Sequence, residues 1–350
     1  MWKSVKPPKS WEDAVMKAAP QFRKVACSLG LSLMLGFFTV GSVEAERISM
    51  MLDWVPSGVH AAFYSGVKQG VFKAEGIDLN LIRGAGSSNT VKRIGSKAVE
   101  YGYCGTSYTV VGRTRGVPVK IISMAIPGNL IAIYTLGKSG IRRPKDLEGK
   151  SIGGSPGGGI VLYPAFAKLH GIKKWNFVQM TPSAKNPSLL AGKIDFILTL
   201  TTVYPALQRQ AKKTGVKVNE MPWSENGIDV YSYNIIARDD RLQQNPAQAR
   251  RMVRALLKSQ AWGIKNPGAA VADFLKVYPD KDPVLTRAEW GVAMRNIATP
   301  EARKHGLGWI DDKKMADTVK LFQTYMDLPR KIDPKEVYTR AFLPKEKIFP

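Results

Sequence analysis

Four side chains that can stack on a flat solute or hydrogen-bond to it lie close together, between positions 53 and 64. Asp53, Trp54, His60 and Tyr64 supply a carboxylate, an indole, an imidazole and a phenol. The rings offer faces for stacking, and the polar groups offer directional hydrogen bonds. Taken singly, each residue has a structural interpretation, with Trp54 packed in a connection and Asp53 capping a helix. As a group they predict a ligand site.

Further candidate ligand-binding residues follow predicted strands, at glycine-rich turns or helix starts. Backbone N–H groups at such starts can hold an anionic or carbonyl oxygen. A turn glycine with a helix cap explains each of these positions equally well. Neither glycine stretch is a nucleotide motif, because 84–89 lacks a third glycine and 153–159 lacks the Lys-Ser/Thr ending of a P-loop. The candidates are Ser87, Ser88, Ser107, Tyr108, Ser155, Gly157, Gly158, Thr201 and Tyr204.

The sequence gives little support for catalysis or metal binding. Cys27 lies in an N-terminal apolar run, so Cys104 is the one thiol that follows it, which excludes an intrachain disulfide and a cysteine-based metal site there. His60, His170 and His305 show no metal-ligand spacing. No Ser-His-Asp arrangement or paired acid and base is discernible. The sequence therefore predicts no enzyme, no metal and no cofactor.

A scaffold for these residues is visible in the alternation of strand and helix patterns up to about position 240. Met50 and Leu52 alternate with polar neighbours as in a strand. Phe63 and Val67, four residues apart, predict a helix that ends by Gly76. Helical patterns dominate after position 240. The order predicts an α/β fold with largely parallel sheets.

Residues 1–45 have the order of a secretory signal peptide. Basic residues precede an apolar run at 25–40, and Val43-Glu44-Ala45 is a small-x-small cleavage pattern. The alternative is an uncleaved membrane anchor, which needs roughly 20 apolar residues, whereas this run is shorter and contains Gly and Ser. Cleavage near Ala45 predicts a periplasmic mature chain.

The chain is strongly basic, with a formal net charge of +24. Lysines and arginines are spread over every segment, and their densest clusters are short. No aromatic-interleaved basic stripe or zinc-finger spacing accompanies them, so the pattern does not indicate nucleic-acid binding. It favours a generally basic, solvated surface.

Two stretches resemble known proteins. Residues 140–153, Gly-Ile-Arg-Arg-Pro-Lys-Asp-Leu-Glu-Gly-Lys-Ser-Ile-Gly, resemble the motif that opens the second lobe of extracytoplasmic solute-binding proteins. The stretch from position 53 resembles the Asp-Trp-x-Pro-Asn-x-x-His-x-Gly-x-Tyr-x-Ala signature of the thiamine-pyrimidine precursor family, whose wider group includes sulfonate, taurine and nitrate binders. The matching residues are Asp53, Trp54, Pro56, His60 and Tyr64, and the departures are Ser57, Ala62 and Gly66.

The resemblance extends over 46–344 and implies a type II periplasmic binding protein with a second α/β lobe inserted into the first. Lobe 1 would comprise 46–136 and 235–350, and lobe 2 would comprise 137–234, with the ligand cleft between them. By this resemblance, a monomer closes by hinge motion on a small planar heterocyclic or aromatic solute. It then delivers the solute to an ABC permease in the inner membrane.

Three alternatives remain open. A small sulfonate or other oxyanion would be held by helix N-termini at Ser87–Ser88 and Ser155–Gly159. Eukaryotic members of the group make the pyrimidine, with a histidine equivalent to His60 as a source of atoms and a Cys-rich iron-binding segment. This chain lacks such a cysteine cluster, which argues against the enzyme. A sensor module could use the same clamp.

Overall fold

The computed structural model describes residues 44–154 and 158–350. These residues belong to one compact unit that ends at Pro350. The predicted signal peptide lies outside the described residues except for its last two positions. Within the described part of the chain, no helix has both the length and the apolar character needed to cross a bilayer.

The described strands form two five-stranded sheets with the orders β2-β1-β3-β10-β4 and β7-β6-β8-β5-β9. Their bounds are β1 Glu46–Met51, β2 Ile77–Ile82, β3 Tyr101–Gly105, β4 Val119–Ile126, β5 Ile131–Leu136, β6 Ser151–Gly154, β7 Asn176–Gln179, β8 Phe196–Leu200, β9 Val218–Pro222 and β10 Tyr233–Arg238. In the first sheet β10 runs antiparallel to both neighbours, and in the second β5 does. The other pairings are parallel. The predicted α/β class with largely parallel sheets is confirmed.

The helices of the described residues alternate with the strands up to β10 and then follow one another. They are α1 Ala61–Lys68, α2 Ser87–Gly95, α3 Thr106–Thr114, α4 Tyr163–Leu169, α5 Pro182–Leu190, α6 Tyr204–Lys213, α7 Asp239–Gln244, α8 Pro246–Lys265, α9 Pro267–Val277, α10 Pro283–Ile297, α11 Pro300–His305, α12 Asp312–Tyr325 and α13 Pro334–Val337. Prolines at the first helical position open many of them, since proline has the required φ and no N–H to satisfy.

Helix α1 is shorter than its apolar spacing predicts. It ends at Lys68 rather than near Gly76, because Gly70 adopts a left-handed φ of 72° that stops the helix. Phe63 is 3% exposed and Val67 is 38% exposed. The two residues therefore do not mark one buried face. Helix α1 packs against α8 and α9 on the first sheet.

The predicted lobe boundaries do not coincide with the changes of sheet. Strand β5 pairs with β8 and β9, so the chain enters the second sheet one strand before the predicted boundary at 136/137. The predicted return at 234/235 falls inside β10, which pairs with β3 and β4. The Gly- and Pro-rich stretch at 137–153 connects two strands of the second sheet, because such residues make turns within a sheet as readily as they separate domains.

Two connections join the sheets, one between β4 and β5 and the other between β9 and β10. Asn129 in the first connection is 3% exposed. Its Nδ2 donates to the Ile228 carbonyl in the return connection at 2.8 Å, and its Oδ1 accepts from the Ile131 N–H at 3.0 Å. One buried side chain thus ties the two connections together.

Candidate functional site

The carboxyl ends of strands from both sheets border two adjoining cavities, of about 350 Å³ and about 600 Å³. The smaller contains Lys185 in its wall and is called the lysine cavity below. The larger contains Asp53 and is called the aspartate cavity. Tyr108, Leu200 and Tyr233 line both. The two cavities therefore adjoin and share a wall.

His60 is fixed through both ring nitrogens. The Ser57 backbone N–H donates to Nδ1 at 3.2 Å, and Nε2 lies 3.0 Å from Asp53 Oδ1. Because a backbone N–H can only donate, Nδ1 is the acceptor and Nε2 carries the proton that is donated to Asp53. The imidazole is 1% exposed. It thus orients the carboxylate and has no free nitrogen to offer a solute.

The Asp53 carboxylate lies beside a stacked pair of tyrosines. The rings of Tyr103 and Tyr233 are 5.0 Å apart and nearly parallel, with an interplanar angle of 8°. Burial, with a contribution from Asp53, raises the pKa of both phenols well above the usual value. Both hydroxyls therefore stay protonated. The Asp53 side chain is 13% exposed and lines the aspartate cavity, where it can accept from a solute N–H or O–H.

The segment after β1 is held by the segment after β2. The Gly86 N–H donates to the Asp53 carbonyl at 2.7 Å, and the Gly84 N–H donates to the Trp54 carbonyl at 3.1 Å. A Cβ on Gly84 would lie 2.1 Å from the Leu52 carbonyl oxygen, so this close approach requires glycine. Trp54 is 55% exposed and lies at the cavity rim with an indole face available for stacking.

Helix α10 adds a second carboxylate, Glu289. It accepts from the Gly58 N–H at 2.7 Å. Burial raises the pKa of Glu289, and the hydrogen bond from the Gly58 N–H opposes that shift. A Cβ on Gly58 would lie 2.2 Å from the Thr286 carbonyl oxygen, so the helix can approach this loop only at glycine. Acidic groups outnumber basic ones around the aspartate cavity, which favours solutes that donate hydrogen bonds.

The lysine cavity has the opposite character. Lys185 of α5 approaches Thr199 at the end of β8, with Nζ 3.4 Å from Oγ1. Burial lowers the pKa of Lys185. No aspartate or glutamate lines this cavity within the described part of the chain. An ammonium group therefore faces a cavity that is lined by hydroxyl groups and, within the described part of the chain, by no carboxylate.

The structure brings one group of the predicted site residues to the cavities. Asp53, Trp54, His60, Ser87 and Tyr108 line the aspartate cavity. Ser107 joins Tyr108 in the lysine cavity. The Ser87 hydroxyl also accepts from the Gly105 N–H at 3.1 Å. These residues form part of the cavity wall that the first sheet and its helices contribute.

Four of the predicted residues, Tyr64, Ser88, Thr201 and Tyr204, line neither cavity. Tyr64 is buried against Phe274, and its hydroxyl lies 2.9 Å from the Tyr278 hydroxyl. Tyr204 stacks on Tyr134 at 5.0 Å. Ser88 is exposed to solvent and Thr201 is half-buried beside Leu200. Gly158 begins a short 3₁₀ turn, Gly158–Leu162, whereas Ser155 and Gly157 lie outside the described residues.

Sequence reasoning missed Tyr103, Tyr233, Lys185 and Glu289. The tyrosines lie in strands whose alternation predicts only a buried face, and Glu289 lies in a helical segment far along the chain. Lys185 is one of many lysines, and no motif distinguishes it. These residues reach the site only through the pairing of distant strands and helices.

The remaining thiol takes no part in these cavities. Cys104 is fully buried, and its Sγ lies 3.3 Å from the Thr109 hydroxyl. Burial raises the pKa of Cys104 to about 12, so the group remains a neutral thiol and a poor nucleophile. Among residues 44–154 and 158–350, no cluster of three or more histidine, cysteine or acidic side chains is placed to hold a metal ion.

Known proteins share both sequence and fold with this chain. A family model described as NMT1/THI5 like matches residues 57–270. The 4-amino-5-hydroxymethyl-2-methylpyrimidine phosphate synthase THI5 of Saccharomyces cerevisiae is 22% identical over 260 residues, which cover 71% of this chain and 76% of that protein. The formylaminopyrimidine-binding protein of Halalkalibacterium halodurans is 21% identical over 231 residues, which cover 65% and 69%.

A solved structure shows the same architecture. The periplasmic aliphatic sulphonate binding protein SsuA of Escherichia coli matches with a TM-score of 0.67 at 12% identity, covering 87% of this chain and 96% of that one. At this identity the likeness concerns the fold. The chain therefore has the periplasmic-binding-protein fold, as predicted.

Proposed function

This chain belongs to the NMT1/THI5 like family, and we propose that it is the extracytoplasmic solute-binding component of an ABC importer. The solute is a small planar heterocycle with hydrogen-bond donors, similar to a pyrimidine precursor of thiamine. The formylaminopyrimidine-binding relative supports this class of ligand. The sulphonate-binding protein of the same fold supports a binding role without fixing the ligand.

The observation that carries the proposal is the orientation of Asp53. His60 Nε2 donates to its carboxylate, Tyr233 lines the same cavity, and the exposed Trp54 lies at the cavity rim. A flat ring with an amino group can stack on the indole and donate to the carboxylate. Few precisely placed polar groups in an otherwise apolar cavity are typical of small-molecule sites.

The proposed mechanism is a clamp. The first sheet with its helices forms one lobe, the second sheet with its helices forms the other, and the two connections form the hinge. The solute binds between the carboxyl ends of the strands and the lobes close around it. In this proposal residues 1–45 are a signal peptide cleaved near Ala45, and a periplasmic monomer presents the closed complex to a membrane permease.

We propose binding rather than the synthase chemistry in the names of the yeast relatives. Both ring nitrogens of His60 are engaged by protein groups, so the ring is held as a structural support of Asp53. The Cys104 thiol is buried and neutral. These side chains are arranged to hold a solute in place.

The test begins with protein purified from the cell envelope without added ligand. Small molecules released on denaturation are identified by mass spectrometry, and the recovered compound is titrated back by calorimetry. A heterocyclic amine that rebinds and is recovered unchanged supports the proposal. Recovery of an alkyl sulfonate or inorganic oxyanion alone contradicts the ligand class, and conversion of the compound during incubation contradicts the binding role.

A further inference from the structure

The side chains that line the two cavities differ in charge, and this difference indicates which chemical groups the solute carries. We propose that the solute is bipartite. A planar end with hydrogen-bond donors lies in the aspartate cavity, and an acidic group lies against Lys185 in the lysine cavity. The acidic group is a phosphate ester, a carboxylate or a sulfonate. The planar end rests on the proposed function, whereas the anion subsite rests on Lys185 and its surroundings.

The first observation is that Lys185 has no counter-charge. Its hydrogen bond goes to the neutral Thr199 hydroxyl, and among the described residues no carboxylate pairs with it. Lys185 is half-buried, and removing water from an ammonium group without supplying an opposite charge is costly. The direction of its pKa shift, downward and caused by burial alone, agrees with this. An anionic ligand would supply the missing charge.

The second observation is the set of hydroxyl groups beside Lys185. Thr199 accepts from Nζ and keeps its own O–H free to donate. Ser107, at the start of α3, lines the same cavity. Hydroxyl donors and an ammonium group are the usual partners of phosphate, carboxylate and sulfonate oxygens. The amide of Asn129, also in this wall, is occupied by the hinge contacts.

The third observation fixes the orientation of the solute. Asp53 and Glu289 line the aspartate cavity, together with Lys281 and the ion-paired Asp282, so acidic groups outnumber the one lysine there and repel an anion. Tyr108, Leu200 and Tyr233 separate this acidic surface from Lys185 while lining both spaces. The reversed orientation would place the anion against two carboxylates and the amino group against an ammonium. Repulsion therefore acts against the wrong pose as attraction favours the right one.

A matched pair of probes isolates the acidic group. 4-Amino-5-hydroxymethyl-2-methylpyrimidine and its phosphate ester differ only in the anion, and both are titrated into the purified protein by calorimetry. We expect the ester to bind about 10- to 150-fold more tightly, the range for a charge-assisted hydrogen bond. Lys185→Met should remove this preference. Lys212→Met, which deletes an exposed lysine of α6, should retain it.

A second measurement detects the anion subsite without the heterocycle. Acetylation of Lys185 by acetic anhydride is mapped by mass spectrometry in millimolar phosphate, acetate or methanesulfonate, with chloride as control. Protection of Lys185 by one of the three supports the subsite and identifies the acid. Acetylation unchanged in all three, or equal affinity of wild type for alcohol and ester, overturns the inference. Protection by an anion when neither pyrimidine binds sustains the subsite and contradicts the heterocycle of the proposed function.

Discussion

Asp53→Asn tests whether the carboxylate of Asp53 receives a donor from the solute. Asparagine keeps the shape of the side chain and an oxygen that can accept from His60 Nε2, so the loop after β1 should keep its conformation. What it loses is the negative charge that faces the aspartate cavity. Hydrogen bonds to a charged group are worth about 1.5–3 kcal/mol. The expected loss of affinity is therefore about 10- to 150-fold.

The assay is calorimetric titration of 4-amino-5-hydroxymethyl-2-methylpyrimidine into wild type and variant, with urea unfolding to confirm the fold. Asp78→Asn is the matched control, since Asp78 is an exposed aspartate on β2. A second probe that lacks the 4-amino group completes a cycle of variant against ligand. The two changes should be strongly non-additive if the amino group meets Asp53.

The reasoning is refuted if folded Asp53→Asn binds the pyrimidine as tightly as wild type does. It is also refuted if removing the amino group and removing the charge weaken binding independently. Either result would leave Asp53 as a structural partner of His60 and would move the donor-binding position elsewhere in the cleft.

Four further predictions concern the cleft and its surroundings. Trp54→Ala should weaken pyrimidine binding about tenfold by calorimetry, because the indole lines the cavity. Tyr64→Phe should leave affinity unchanged and lower the free energy of unfolding in urea by about 1 kcal/mol, because its hydroxyl bonds within the core. Arg209→Ala removes the 2.5 Å ion pair to Asp282 between α6 and the start of α10. It should speed solute release in stopped flow by less than about fivefold. Glu289→Gln should become more stable relative to wild type as the pH rises above the ordinary glutamate value of about 4.3, because burial disfavours the charged carboxylate.

Specific experimental results would contradict these predictions. A loss of affinity in Tyr64→Phe as large as that in Trp54→Ala would show that the Tyr64 hydroxyl contacts the ligand. Release from Arg209→Ala that matches wild type at low salt would show that the ion pair does not hold the cleft closed. A stability difference for Glu289→Gln that stays constant with pH would show that the pKa of Glu289 is not raised.

The part of the site that the sequence predicts is the part built by one local segment. Asp53 and His60 follow the same strand, so their spacing alone brings them together. Tyr64 comes one helical turn later, where α1 faces α9 and the hydroxyl meets Tyr278. The spacing of residues along the chain cannot distinguish a helix face that points to the cleft from one that points to the core.

The remainder depends on long-range pairing. Tyr233 reaches Tyr103 because β10 lies between β3 and β4, an order that no local pattern specifies. Similarly, composition placed the lobe boundary at the glycine-rich stretch near 137, whereas strand pairing assigns β5 to the second sheet. The class of the fold follows from periodicity, but the assignment of each strand follows from contacts between distant segments.

Asn129 has a mechanical consequence for the proposed clamp. Because it ties the outgoing connection to the return connection at Ile228, the two behave as one joint. Rotation about an axis through both connections leaves this bond intact, whereas torsion of one sheet against the other pulls them apart and exposes buried polar groups at about 1–3 kcal/mol each. In the proposed clamp, this bond favours bending about that axis over torsion of the sheets. If the clamp closes in this way, one distance across the cleft follows its closure.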